Sequence, residues 1–401
     1  MGGFVIFFVY MQVRHKHRKT ETTKMNKQKI YFPNLSGLRF IASFLVVIHH
    51  IELMKANSKT DNYWGVNPFI GIIGKLGVVL FFVLSGFLIT YLLLAEEQSF
   101  NKISIKNFYI RRILRIWPLY YLIVILAFLV LTNIELFTLP GQGKDVIYSN
   151  LISKLILYAI FLPNLTFSLY GQDPYIFQTW SIGTEEQFYL MWPILFKYLK
   201  NSRMFLMFFI IVFYIFFARV LASDYFNIIP YKDVIRAFWS KFNIDCMAIG
   251  GIYAILLFQK SNFLKLLQNK ILFYLTLILV IFLMIEGVYI PYIHYEFYSV
   301  LFGIIILNFA ANDKIKISLE NRFLNYLGNI SYGLYMYHLI GIALALAITR
   351  SINFTTNWLL YPLSFILTII IAGLSYRYFE TFFLKFKYKF SNIISGNETK
   401  E

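Results

Sequence analysis

GVVLFFVLSGFLITYLLL, residues 77–94, runs for eighteen residues without a charge. As a helix it would rise roughly 27 Å, close to the hydrocarbon thickness of a bilayer. Its apolar residues are continuous and do not alternate with polar ones, which argues for a spanning helix and against a barrel strand. Similar stretches recur along the chain, near 35–54, 69–95, 113–133, 180–199, 204–222, 238–258, 271–289, 292–311, 323–347 and 358–379. The composition agrees. The 401 residues are 59% hydrophobic and 14% charged, with a mean hydropathy of +0.63. A soluble domain would be about one quarter charged. The expected fold is all-α, a polytopic membrane bundle of about ten transmembrane helices.

Loop charge orders these spans. The net charge of +17 would suit a nucleic-acid binder in a soluble protein. Here it reads as Lys and Arg retained in cytoplasmic loops, so no nucleic acid is expected. Lys24, Lys27 and Lys29 precede the first span; Lys102, Lys106, Arg111 and Arg112 lie between the second and third. Lys197, Lys200 and Arg203 follow the fourth, Lys260, Lys265 and Lys270 the sixth, Lys314, Lys316 and Arg322 the eighth, and Lys385, Lys387 and Lys389 the tenth. With ten crossings all of these share one side, and both termini are cytoplasmic. The loop with Lys232, Arg236 and Lys241 is the exception. The apolar piece 151–162 is too short to cross comfortably. Counting it as a span would invert every later loop, so it is expected to be re-entrant or interfacial.

Residues 1–32 read as a cytoplasmic N-terminal extension, 33–385 as one transmembrane domain and 386–401 as a short cytoplasmic tail. MGGFVIFFVYMQV at the start resembles a truncated signal or anchor followed by the basic RHKHRK. It is short for a span and runs the wrong way round for a secretory signal. The single cysteine, Cys246, excludes an internal disulfide and a cysteine metal cluster, and no metal is expected.

Polar residues inside such a chain need partners or water. On the first span, Arg39 and His50 are eleven residues apart, which on a helix leaves about 20° and about 16 Å between them. They share a face, while His49 points elsewhere. In IRRILRIWPLYYL, Arg112 and Arg115 share a helix face, and planar guanidinium groups bind phosphate in two-point fashion. In TWSIGTEEQFYLMWP, Glu185 and Glu186 begin the fourth span. Glu186 is expected to face His50 and raise its basicity as a general base for a hydroxyl. Asp245 in the sixth span calls for a partner such as an arginine. Ser331, Tyr335, Tyr337 and His338 lie deep in the ninth span, and Arg377 with Glu380 forms an expected local ion pair. Ser85-Gly86 lacks the upstream glycine of a nucleophile elbow and reads as small residues for helix packing. Cys246 reads as a buried apolar residue.

Seven stretches, in this order, resemble the acyltransferase-3 family of bacterial integral-membrane O-acyltransferases. They are LSGLRFIASFLVVIHH (35–50), FFVLSGFLIT (81–90), RRILRIWPLYYL (111–122), TWSIGTEEQFYLMWPIL (179–195), FNIDCMAIGG (242–251), NISYGLYMYHLI (329–340) and SYRYFE (375–380). The resemblance covers about 33 to 385. It implies about ten core spans, a cytoplasmic acyl-CoA donor, most often acetyl-CoA, and a carbohydrate hydroxyl as acceptor. It assigns Arg39, Arg112 and Arg115 to the donor, and His50, Glu185, Glu186, Tyr337 and His338 to catalysis, with Tyr337 or His338 stabilising an oxyanion. Ser36 stands where the family often has Asp. Some members carry a C-terminal hydrolase-like domain; without one, either this chain acylates the final acceptor or a separate extracytoplasmic acyl-transfer protein does. The competing readings are a transporter or flippase of a lipid-linked glycan precursor, and a glycan polymerase or ligase, which would carry a larger external loop.

Overall fold

The computed structural model describes residues 28–138, 143–391 and 393–395. The anchor-like start and most of the 1–32 extension lie outside them. The described chain is a helical bundle. The membrane-scale helices begin with α1 (Leu35–Asn57), α2 (Pro68–Phe100) and α3 (Ile105–Ile125), the last extended by short π and 3₁₀ turns to Asn133. Two short helices follow, α4 (Leu151–Ala159) and α5 (Pro163–Tyr170). Then come α6 (Trp180–Tyr198), α7 (Arg203–Ala222), α8 (Lys232–Trp239) and α9 (Ile244–Phe258). The series closes with α10 (Lys270–Ile285), α11 (His294–Ala311), α12 (Arg322–Asn329), α13 (Ser331–Ser351), α14 (Asn357–Ser375) and α15 (Thr381–Lys387).

Among the described residues, eight helical stretches are long and apolar enough to cross a membrane. The other two expected spans are α10, apolar but only 16 residues long, and α6, whose first turns carry Glu185, Glu186 and Gln187. Residues 151–162 form no crossing. The nine residues of α4 rise roughly 14 Å, and the chain turns at Phe161 (φ 59°) into α5. A buried ion pair holds this segment in place, with Lys154 Nζ 2.7 Å from Asp173 Oδ1. Tyr158 donates its hydroxyl to the other carboxylate oxygen at 3.2 Å.

Packing separates centre from rim. α2, α11 and α13 are mostly buried inside the protein, whereas α7 and α14 expose most of their apolar surface. On α7, Phe205, Phe209 and Phe213 recur every four residues and stack along an outward face. That suits lipid, where an exposed ring costs nothing. α2 and α9 pack closely because Gly86 and Gly250 lie at their crossing. A Cβ on Gly86 would overlap the Met247 carbonyl, and one on Gly250 the Val83 carbonyl. Gly86 thus serves close packing as expected, whereas Ser85 beside it faces a cavity and is hydrogen-bonded to Tyr189.

The two ends of the described chain meet. β1 (Gln28–Ile30) pairs in parallel with β2 (Ile393–Ser395), so both emerge on one side of the bundle. This pairing joins segments far apart in sequence.

Candidate active site

A cavity of about 190 Å³ runs through the bundle against α1, α2, α3, α6 and α13. Along α2 its lining extends from Leu92 to Val78, which is roughly 21 Å of helix. It is therefore long and narrow. One end is walled by Ile30, Tyr31 and Phe32, next to the β1–β2 pair, and by Leu384 of α15. Toward the other end stand Ser181 and Tyr335.

Arg39, Arg112 and Arg115 all line this cavity, together with Glu185 and Glu380. Their placement follows from helix phase. Arg112 and Arg115, three residues apart on α3, face the same way. Arg112 stacks against the rings of Phe108 and Tyr189, and its buried Nε has no hydrogen-bond partner among the described residues. Ser181, Glu185 and Tyr189 recur every four residues on α6 and form one polar stripe. Tyr189 donates to Glu185 Oε2 at 3.0 Å and is also hydrogen-bonded to Ser85. Tyr335 donates to the Gln178 carbonyl at 2.7 Å, and its hydroxyl lies 2.7 Å from Ser181 Oγ.

Beyond that layer lies a pair of imidazoles. His338 Nε2 is 3.1 Å from His50 Nδ1. His338 is fully buried, and its Nδ1 is 2.6 Å from the Tyr335 carbonyl oxygen. His50 is half-buried, with Phe177 packed on its ring and its Nδ1 2.9 Å from the Val46 carbonyl. His49 turns away, as helix phase requires, to the Ile70 carbonyl at 2.7 Å.

The expected contact between Glu186 and His50 does not form. Glu186 Oε2 accepts the indole N–H of Trp117 at 3.0 Å, pinning α6 to α3, and its Oε1 is buried without a partner. The four-residue spacing of Ser181, Glu185 and Tyr189 carried the information that Glu185 is the cavity residue. Tyr337 also points away from His50. It donates to Ser375 Oγ at 3.0 Å, and Ser375 donates to Glu380 at 3.2 Å. The local Arg377–Glu380 ion pair is absent among the described residues. A π-helical turn over Tyr376–Glu380 leaves Arg377 exposed and carries Glu380 into the cavity, and such turns recur at functional sites. Among the described residues, no arginine pairs with Asp245. It is fully buried against the Glu296 carboxyl group, with the Cys246 thiol 3.7 Å away. Nothing in the sequence linked Glu296 to it.

Comparison with known proteins agrees with this architecture. Peptidoglycan O-acetyltransferase OatA of Listeria monocytogenes is 25% identical over 377 residues, covering 90% of this chain and 56% of that protein. YrhL of Bacillus subtilis, provisionally named a peptidoglycan O-acetyltransferase, is 29% identical over 368 residues, 87% of this chain and 54% of its own length. The chain thus spans a little over half the length of these relatives. No solved structure matches it. The family model described as an acyltransferase domain matches residues 32–377, and the chain belongs to the acyltransferase-3 family.

Proposed function

We propose that this chain is a membrane O-acyltransferase that takes an acyl group, most simply acetyl, from acyl-CoA on the cytoplasmic side and delivers it to a carbohydrate hydroxyl outside. One observation carries the reading: three arginines line a single narrow cavity that reaches Tyr335, whose carbonyl holds His338 of the His50–His338 pair.

The donor chemistry fits the residues present. Arg39, Arg112 and Arg115 supply guanidinium groups for the phosphates of a coenzyme A. The unpartnered Arg112 Nε is a donor awaiting an acceptor. The cavity is smaller than the roughly 300–1,000 Å³ that encloses a whole drug-sized ligand. It suits a flexible arm, with the nucleotide held at the mouth. That mouth adjoins the paired chain ends, and the loop-charge pattern assigns this side to the cytoplasm.

In this reading the arm carries its thioester toward Ser181 and Tyr335. His50 takes the proton of the acceptor hydroxyl as the hydroxyl oxygen attacks the acyl carbon. Glu185, tied to Tyr189, balances the arginines. The acceptor is a surface or exported carbohydrate, and OatA's own name makes peptidoglycan the first to try. A separate extracytoplasmic acyl-transfer protein would complete transfer where the final acceptor lies farther out.

Vesicles containing the purified protein test this. With labelled acetyl-CoA on the side of the β1–β2 pair, label should appear on glycan. A transporter or flippase would move substrate without acylating it, and that outcome would overturn the proposal.

A further inference from the structure

The imidazole pair has a determinate proton arrangement. A carbonyl oxygen only accepts hydrogen bonds. His338 Nδ1 faces the Tyr335 carbonyl at 2.6 Å, so it carries a proton, and neutral His338 keeps its lone pair on Nε2. His50 Nδ1 faces the Val46 carbonyl at 2.9 Å, so it too carries a proton. That same N–H lies 3.1 Å from His338 Nε2. Two acceptors share it, and the lone pair of His50 resides on Nε2.

We infer that His338 is a positioning residue for acyl transfer: it accepts the Nδ1 proton of His50, fixes the ring with Nε2 free for chemistry, and spreads the charge that forms there. This inference rests on the acyltransferase reading above. During transfer the acceptor hydroxyl gives its proton to His50 Nε2 while its oxygen bonds the acyl carbon. The carbon–sulfur bond breaks with its electron pair on sulfur, and the thiolate then takes the proton from Nε2. Atoms and charge balance, and His50 returns to its starting state.

The second imidazole takes the place that a carboxylate holds in many catalytic triads. In a membrane bundle this has a physical basis. A carboxylate there would be a standing charge that the surroundings must compensate, whereas a neutral imidazole adds none and still accepts the hydrogen bond. The titratable group beside the pair is His49, edge-on to His50 at 5.1 Å and held by the Ile70 carbonyl. From the other elements packed on it come Phe177 and Tyr335. Neither ring forms an ion pair among the described residues.

Nitrogen-15 NMR of the full chain in a bilayer mimetic, with His50 assigned through His50→Ala, reads the arrangement directly. His50 should show a protonated Nδ1 and a bare Nε2; the opposite pattern would overturn the inference. Kinetics supply the second arm. His338→Phe should lower kcat by roughly 10²-fold with the acetyl-CoA KM unchanged. His338→Gln, whose amide can accept from His50 and donate to Tyr335, should recover at least tenfold over His338→Phe. A His338→Phe enzyme within twofold of wild type, or no rescue by glutamine, contradicts the role. If His338→Phe fails to fold, the wild-type nitrogen pattern decides alone. A wild-type chain that transfers nothing from acetyl-CoA would count against the acyltransferase reading, which the nitrogen pattern does not test.

Discussion

At the scale of single residues, the adjacent carboxylates Glu185 and Glu186 do different work. Glu185 shares the cavity with three arginines, while Glu186 is held by Trp117. Glu185→Gln is therefore expected to lower kcat/KM for acetyl-CoA by about tenfold, the scale of one charge-assisted hydrogen bond. Glu186→Gln should stay within about threefold of wild type on that same scale, and steady-state kinetics on the pair measures the difference. Arg115→Ala should weaken acetyl-CoA binding by about tenfold or more, read by calorimetry. Much of the candidate site was legible at this scale. Arg39 with His50, and Arg112 with Arg115, are spacings that helix geometry converts into shared faces. Glu186's partner was not legible, because which neighbouring helix supplies a contact depends on tertiary packing that a single helix does not encode. The four-residue spacing of Ser181, Glu185 and Tyr189 marks only that Glu185 shares their face.

At the scale of elements, two features carry definite costs. The α2–α9 crossing needs hydrogen atoms at Gly86 and Gly250 where any side chain would meet a carbonyl. Gly86→Val should force the helices apart and destabilise the bundle by about 1–3 kcal/mol or more, visible as a lowered melting temperature in detergent. The buried Lys154–Asp173 pair is the second. Asp173→Asn strands an ammonium that is 2% exposed, a loss of about 3–5 kcal/mol. Hydrogen exchange should rise across 151–176, and a Lys154→Met, Asp173→Leu double variant should restore protection. The spanning helices were readable from apolar length, and the 151–162 segment from the loop-charge pattern. The π-helical turn over Tyr376–Glu380 was not readable. One inserted residue per turn changes which side chain faces inward without leaving a compositional trace.

At the scale of the whole molecule, the bundle encloses an arginine-lined cavity, with an imidazole pair beyond its Ser181–Tyr335 layer. The mouth, β1 and β2 lie together, so donor should be consumed only from the side of the bundle that carries the β1–β2 pair. Protease clipping of a terminal tag in sealed vesicles, scored with donor use, checks that sidedness. The most direct test is donor binding and acyl transfer measured on one preparation of His50→Ala. The account predicts acetyl-CoA affinity equal to wild type and no labelled acetate on glycan. Wild-type turnover by His50→Ala would contradict it.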